Sequence, residues 1–121
     1  MPAAQLRLND RHRITLVRVA ARLRERGGEI ARGIAADIVT ELAVIESRAW
    51  KQGVEFGDGH LCDLHGRMLR ASPEMITFLA ELAGLLELAG TVRERLTADP
   101  TLADLTPLLN EPWHTIGVRH N

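Results

Sequence analysis

Apolar residues recur three and four positions apart over residues 72–96, which read SPEMITFLAELAGLLELAGTVRERL. This spacing keeps one face of an α-helix apolar along its whole length. Ser72 can cap the helix, and Pro73 suits its first position, where the missing N–H costs nothing. A second apolar row lies beside the first, so we expect a long, central hydrophobic helix. The first row is Met75, Phe78, Leu82, Leu85, Ala89, Val92 and Leu96, and the second is Ile76, Leu79, Ala83 and Leu86.

Two more helices are predicted before this one. The first covers residues 10–26, with Asn9 or Asp10 as its cap, and residues 1–8 form a short lead-in. Two glycines follow it, and glycine readily adopts the left-handed conformation at a helix end. The second helix is predicted over 29–51. Its buried face should consist of Ala31, Ile34, Ile38, Leu42, Ile45 and Ala49.

The glycine-rich stretch GVEFGDGH, residues 53–60, predicts a turn. Asp58 can then cap a short third helix over 59–71 that points Leu61, Leu64, Met68 and Leu69 inward. A further short helix is expected after Asp99. Residues 110–121 read as a tail that docks on the bundle through Trp113. The prediction is a single all-α domain over 1–121, a four- to five-helix bundle without a sheet.

Composition agrees with a folded helical protein. Hydrophobic residues make up 45% of the chain and charged residues 26%, and Tyr is absent, so aliphatic residues must fill the core.

Cys62 is the only cysteine. No disulfide within the chain is therefore available, which fits a cytoplasmic location. The beginning of the sequence lacks the apolar run of a signal peptide. Glu81 and Glu87 interrupt the most apolar window, so we expect no membrane span.

Positive charge is concentrated near the beginning of the sequence. Residues 1–28 hold seven Arg and two acidic residues, a net charge of +5, whereas the whole chain has a net charge of −1. Arg11, Arg18 and Arg22 fall within about 40° of one another on a helix, an arrangement that can contact phosphates. No helix-turn-helix pattern is visible, and no aromatic residues interleave the Arg. A row of glutamates on the long helix, Glu74, Glu81, Glu87 and Glu94, is the alternative partner.

Two residues are weak candidates for a metal site. Cys62 and His65 would lie about 60° apart on a shared helix and could contact one ion. His60 would lie about 200° from Cys62, and structural zinc sites usually have two spaced ligand pairs. We therefore expect neither a metal nor another cofactor. No serine-histidine-aspartate arrangement, phosphate-binding loop or HExxH motif is present in the sequence, so no catalytic residue is predicted.

The width of the apolar face on the long helix predicts a homodimer, because exposing one row would leave a patch larger than monomers usually tolerate. Gly84 and Gly90 would let a second backbone approach. The predicted interface is Phe78, Leu82, Leu85, Leu86 and Ala89. The leading hypothesis is a small, non-enzymatic interaction or regulatory module that binds itself and an unidentified protein. Nucleic-acid binding through the Arg row is the alternative, and metal or small-ligand binding is the second alternative.

Overall fold

The computed structural model describes residues 3–57, 59–62, 65 and 68–110, with side chains omitted for 3–8, 60–62, 68 and 69. Three long α-helices account for most of these residues: α1 (Ala3–Arg26), α2 (Glu29–Phe56) and α3 (Pro73–Ala98). Two short strands, β1 (Gly59–Cys62) and β2 (Met68–Ala71), lie between α2 and α3, and a 3₁₀ helix follows at Ala103–Leu109. The predicted helix-dominated fold is thereby confirmed.

The three α-helices pack side by side with alternating direction. Gly27 and Gly28 have φ angles of 77° and 94°, and this left-handed turn reverses the chain between α1 and α2. Antiparallel packing of α2 on α3 follows from two contacts near its opposite ends. A Cβ added at Gly53 would lie 2.7 Å from the Pro73 carbonyl oxygen, and Arg95 Nη1 lies 2.7 Å from Asp37 Oδ2. Consequently α1 and α3 run in the same direction.

One aliphatic core joins all three helices and the 3₁₀ helix. The sequence-predicted inward face of α2 is confirmed, since five of its six residues are buried and Leu42 packs partly buried against the cluster. On α3 the buried apolar positions are Leu85, Leu88, Ala89, Val92 and Leu96. The α1 contribution is Leu16, Val19, Ala20 and Leu23. Leu102, Leu105 and Leu109 close the end of the bundle at which α3 finishes.

The predicted third helix over 59–71 is wrong. This segment forms an antiparallel hairpin in which Gly59 pairs with Ala71 and Cys62 pairs with Met68. Glycine costs about 1 kcal/mol relative to alanine inside a helix, and a helix this short is marginal in water. The hairpin satisfies its backbone hydrogen bonds locally instead. Asp58 and Leu64, the predicted cap and one predicted core residue, lie outside the described residues.

Helix boundaries differ from the prediction at two places. The α1 helix begins at Ala3, so Asn9 is not its cap; the Asn9 side chain is buried and bonds to α3 instead. The α2 helix continues past residue 51 to Phe56 and, at 28 residues, is longer than α3. The beginning of α3 is confirmed, because Ser72 Oγ accepts a hydrogen bond from the Met75 amide and Pro73 occupies the first turn. Of the predicted tail, 110–121, Asn110 caps the 3₁₀ helix, whereas 111–121 with Trp113 lie outside the described residues.

Candidate functional site

One candidate surface is a row of exposed apolar side chains on α3. Met75, Leu79, Leu82 and Leu86 are spaced four, three and four residues apart and therefore share one face. We call these four residues the α3 stripe. Leu79 is 44% exposed and Leu86 40%, whereas Leu82 is half-buried. Phe78 lies beside the stripe and is also half-buried. A contiguous apolar surface of this kind commonly marks a site of interaction.

Two residues of the predicted dimer interface do not belong to this surface. Leu85 is 1% exposed and Ala89 6% exposed, because both pack inside the core of their own chain. They lie on the face of α3 that contacts the other helices. Phe78, Leu82 and Leu86 remain accessible to a second molecule. The prediction erred because periodicity shows which residues share a face but not where the chain's own packing ends.

The two glycines of α3 have different surroundings. A Cβ at Gly84 would lie 2.8 Å from Cγ2 of Ile45, so this glycine permits close approach of α2 within the chain. A Cβ at Gly90 would meet nothing within 4 Å. The predicted role in dimer contact is therefore incorrect for Gly84, whose space is taken by Ile45. Gly90 remains open on the surface.

A buried polar cluster links α1 to α3 beside the stripe. Asn9 Nδ2 donates to Oε1 of Glu81 at 2.6 Å, and Arg13 Nη2 donates to Oε2 at 2.7 Å. Both carboxylate oxygens are thus bonded, and Glu81 is only 9% exposed. Arg13 also contacts Asp10 one turn earlier. The partners of Glu81 therefore come from α1 of the same chain, and they are not the predicted Arg11, Arg18 and Arg22.

This cluster keeps the exposed face of the α3 stripe free of charge. Between Met75 and Leu86 the sequence contains one charged residue, Glu81. Since that carboxylate is turned into the bundle and bonded there, no charge interrupts the exposed stripe. Sequence reasoning placed Glu81 in an acidic surface row and missed Asn9 and Arg13. Their four-residue spacing, which puts both on the inner side of α1, was the available signal.

The α3 helix also meets the length and composition criteria for a membrane span. Its most apolar window has a mean hydropathy of 1.6, and 28% of that window is buried in the bundle. The two glutamates therefore do not exclude a span by themselves, contrary to the sequence-based expectation. Core helices of soluble proteins meet the same criteria. The bonds from Asn9 and Arg13 to Glu81 attach this helix to polar partners on α1.

The predicted Arg row is present on the surface of α1. Arg11, Arg18 and Arg22 are all exposed, and within the part of the chain described here none of them forms an ion pair. The predicted pairing of this row with the glutamates of α3 is thus not observed; Arg13 contacts Glu81 instead. Arg26, at the end of α1, binds Asp104 at 2.7 Å.

The hairpin changes the geometry of the weak metal candidates. Cys62 ends β1, and His65 lies exposed in the connection to β2, so the helical angle assumed for them does not apply. Among the residues that the structure describes, no group of three His, Cys, Asp or Glu side chains could hold a metal ion.

A groove of about 580 Å³ lies between α2 and α3. Its wall on α3 includes the small residues Ala80, Ala83 and Gly84, and the Asp37–Arg95 ion pair lies at one end. Glu41 and Glu87 add negative charge to its lining. The groove has the size of a ligand pocket but mixes charges of both signs with small apolar side chains.

Comparison with known proteins adds no candidate ligand: no protein-family model, no curated protein and no solved structure matches this chain.

Proposed function

We propose that this chain is a small non-enzymatic interaction module that forms a homodimer through the α3 stripe and also binds a second, unidentified protein. The observation that carries the proposal is the withdrawal of Glu81 from the surface. Its bonds to Asn9 and Arg13 leave Met75–Leu86 with an exposed face free of charge. Burying such a face against a copy of itself is the most common way to form a symmetric oligomer.

The proposed interface retains three of the sequence-predicted residues and adds two. Phe78, Leu82 and Leu86 stay, and Met75 and Leu79 join them because both are exposed on the same side of α3. Leu85 and Ala89 are removed because they are core residues. We further propose that the protein is cytoplasmic and has no membrane partner. We also propose that the chain forms a single domain whose tail packs back on the helices through Trp113.

Light scattering coupled to size exclusion tests the dimer directly. We expect the mass of two chains at tens of micromolar, falling toward one chain on dilution. Leu79→Ser combined with Leu86→Ser should shift the protein to the monomer, since both side chains are exposed and contribute little to folding. Val39→Ser is the matched control, because Val39 is equally exposed but lies on α2. A monomer mass at all concentrations, with or without the substitutions, would contradict the proposal.

The same face of α3 would suit a lipid surface, so the absence of a membrane partner needs its own test. Co-sedimentation with vesicles of neutral and anionic lipids should leave the protein in the supernatant. Sedimentation with vesicles that is lost in the Leu79→Ser, Leu86→Ser variant would assign the α3 stripe to a membrane and overturn the homodimer as its function.

Nucleic-acid binding remains the second candidate because the exposed side of α1 favours it. Arg11, Arg18 and Arg22 are exposed together, and the described residues provide no acidic partner for them. Substituting Arg18 and Arg22 by Gln should then weaken binding of duplex DNA or RNA and reduce its salt dependence. Arg24→Gln is the control, since Arg24 lies about 200° around the helix from Arg22. Equal, negligible binding by all variants would remove this candidate. The third candidate was metal or small-ligand binding, and of the two the α2–α3 groove supports only the binding of a small ligand.

A further inference from the structure

The 3₁₀ helix brings the chain from the end of α1 to the side of α3. Near its beginning, Asp104 Oδ2 accepts from Arg26 at 2.7 Å, at the end of the bundle where α3 finishes. At its end, the Leu109 carbonyl oxygen accepts from Arg93 Nη2 at 3.0 Å. Arg93 precedes the end of α3 by five residues. The chain therefore passes from the end of α1 to α3, where Leu109 lies beside Arg93 rather than at the end of the helix.

Arg93 lies on the same side of α3 as the stripe. It follows Leu86 by seven residues, which is two helical turns. The α3 stripe and Arg93 thus lie in one row along the helix. Arg93, nearest the end of α3, donates to the Leu109 carbonyl, whereas Met75, Leu79 and Leu86 are exposed. A segment that extends from Asn110 toward the beginning of α3 would meet Leu86 first and Met75 last.

The residues that follow Asn110 have suitable length and chemistry. They read EPWHTIGVRHN, in which Trp113, Ile116 and Val118 are apolar. From Arg93 to Met75 the helix rises about 27 Å, at 1.5 Å per residue. Eleven residues of extended chain reach about 36 Å, at 3.3 Å per residue. The segment 111–121 is therefore long enough to cover the whole stripe, and it carries three apolar side chains with which to do so.

We propose that residues 111–121 dock on the α3 stripe of their own chain and thereby limit homodimerisation. This regulation rests on the dimer proposed above, because both use the same surface. The docked segment and a second copy compete for Leu79, Leu82 and Leu86. If the segment covers the stripe in about nine-tenths of the molecules, each copy is competent only about one-tenth of the time. Because both copies must be uncovered to associate, the apparent dissociation constant then rises by about a hundredfold.

Docking can be measured without reference to the dimer. In a Trp50→Phe background Trp113 is the only tryptophan, and Trp50 is 64% exposed, so its replacement should leave the fold intact. At concentrations dilute enough for the monomer, Trp113 should emit at the short wavelengths of a partly buried indole. Leu79→Ser with Leu86→Ser should shift that emission to the red, while Val39→Ser should not. An unchanged emission in the first variant would overturn the docking.

Regulation is tested by a variant that ends at Asn110. Light scattering over a concentration series should show this variant dimerising at least about tenfold more tightly than the longer chain. Equal dissociation constants would overturn the regulation. If neither form dimerises while Trp113 still responds to the stripe substitutions, the proposed dimer fails and the docking stands. Trp113 emission that shifts to the blue only as concentration rises would place the segment on a second copy and contradict docking within one chain.

Discussion

Arg13 donates to Glu81 at 2.7 Å across the interface between α1 and α3, and the carboxylate it meets is buried. Arg13→Met should leave that carboxylate with Asn9 as its remaining partner. We expect a loss of about 1–3 kcal/mol in the free energy of unfolding, below the value for a fully buried pair because Arg13 is partly exposed. A double-mutant cycle of Arg13→Met, Glu81→Met and the double variant, followed by urea denaturation, measures the free energy of interaction between the two side chains.

The double variant should be more stable than Arg13→Met alone, since it removes the unpaired charge together with its partner. The exposed Asp37–Arg95 pair is the control, and breaking it should cost less than about 1 kcal/mol. If Arg13→Met cost no more than Arg95→Met, the buried cluster would not contribute to joining the two helices.

Two glycines on α3 provide a matched pair of substitutions. Gly90→Ala should raise the free energy of unfolding by up to about 1 kcal/mol, because alanine favours the helix and the added Cβ meets nothing within 4 Å. Gly84→Ala adds the same propensity but places its Cβ 2.8 Å from Ile45 Cγ2. Its net effect should be destabilising, as α2 must move or Ile45 must leave its rotamer. Equal stabilisation by both substitutions in thermal denaturation would show that α2 and α3 are not closely packed at this point.

Adjacent leucines distinguish the core from the α3 stripe. Leu85→Ala should cost about 2–5 kcal/mol, the range for removing a fully buried leucine side chain. Leu86→Ala, with 40% of its side chain exposed, should cost less than about 1 kcal/mol in the monomer. Denaturation at dilute protein concentration checks both values. A large loss for Leu86→Ala under those conditions would place it in the core and remove it from the proposed interface.

The helical part of this fold was predictable because its signals are local. Ser72 and Pro73 specify the beginning of α3, and the inward positions of α2 follow from periodicity alone. The hairpin was not predictable in this way, since Leu61 and Leu69 also fit a helical spacing and short apolar runs suit either structure. The burial of Glu81 depends on Asn9 and Arg13, which lie about 70 residues away in sequence, so no pattern within α3 indicates it.

The same limit applies to the candidate interface. Both apolar rows of α3 were visible in the sequence, but the boundary between core and surface divides the first row, leaving Met75 exposed and Leu85 buried. Where that boundary falls depends on where α1 and α2 pack. Leu85 and Leu86 are neighbours in one apolar stretch, and only tertiary contacts separate them into core and surface. The Arg row could be predicted more fully because Arg11, Arg18 and Arg22 need no partner within the chain to remain exposed.

Acid sensitivity should report the contact between α1 and the 3₁₀ helix. Hydrogen bonds from the Arg26 guanidinium, aided by its charge, hold the pKa of Asp104 below its ordinary value of about 3.9. The native state therefore binds this proton more weakly than the unfolded state does. The resulting stabilisation is fully present above the ordinary carboxyl pKa, and it is lost as the pH falls through the lower, native pKa. Asp104→Asn should consequently flatten the dependence of stability on pH in this acidic range.

Thermal denaturation between neutral pH and about pH 2 tests this, with Arg26→Gln as the control. Removing Arg26 should abolish most of the pH dependence attributed to Asp104, so that adding Asp104→Asn to Arg26→Gln changes the profile little. Asp99 supplies an internal comparison, because hydrogen bonds from Thr101 lower its pKa independently of Arg26. Its contribution should persist in the Arg26→Gln variant. A profile for Asp104→Asn that parallels the unsubstituted protein across the whole acidic range would show that Arg26 and Asp104 do not hold the 3₁₀ helix against α1 in solution.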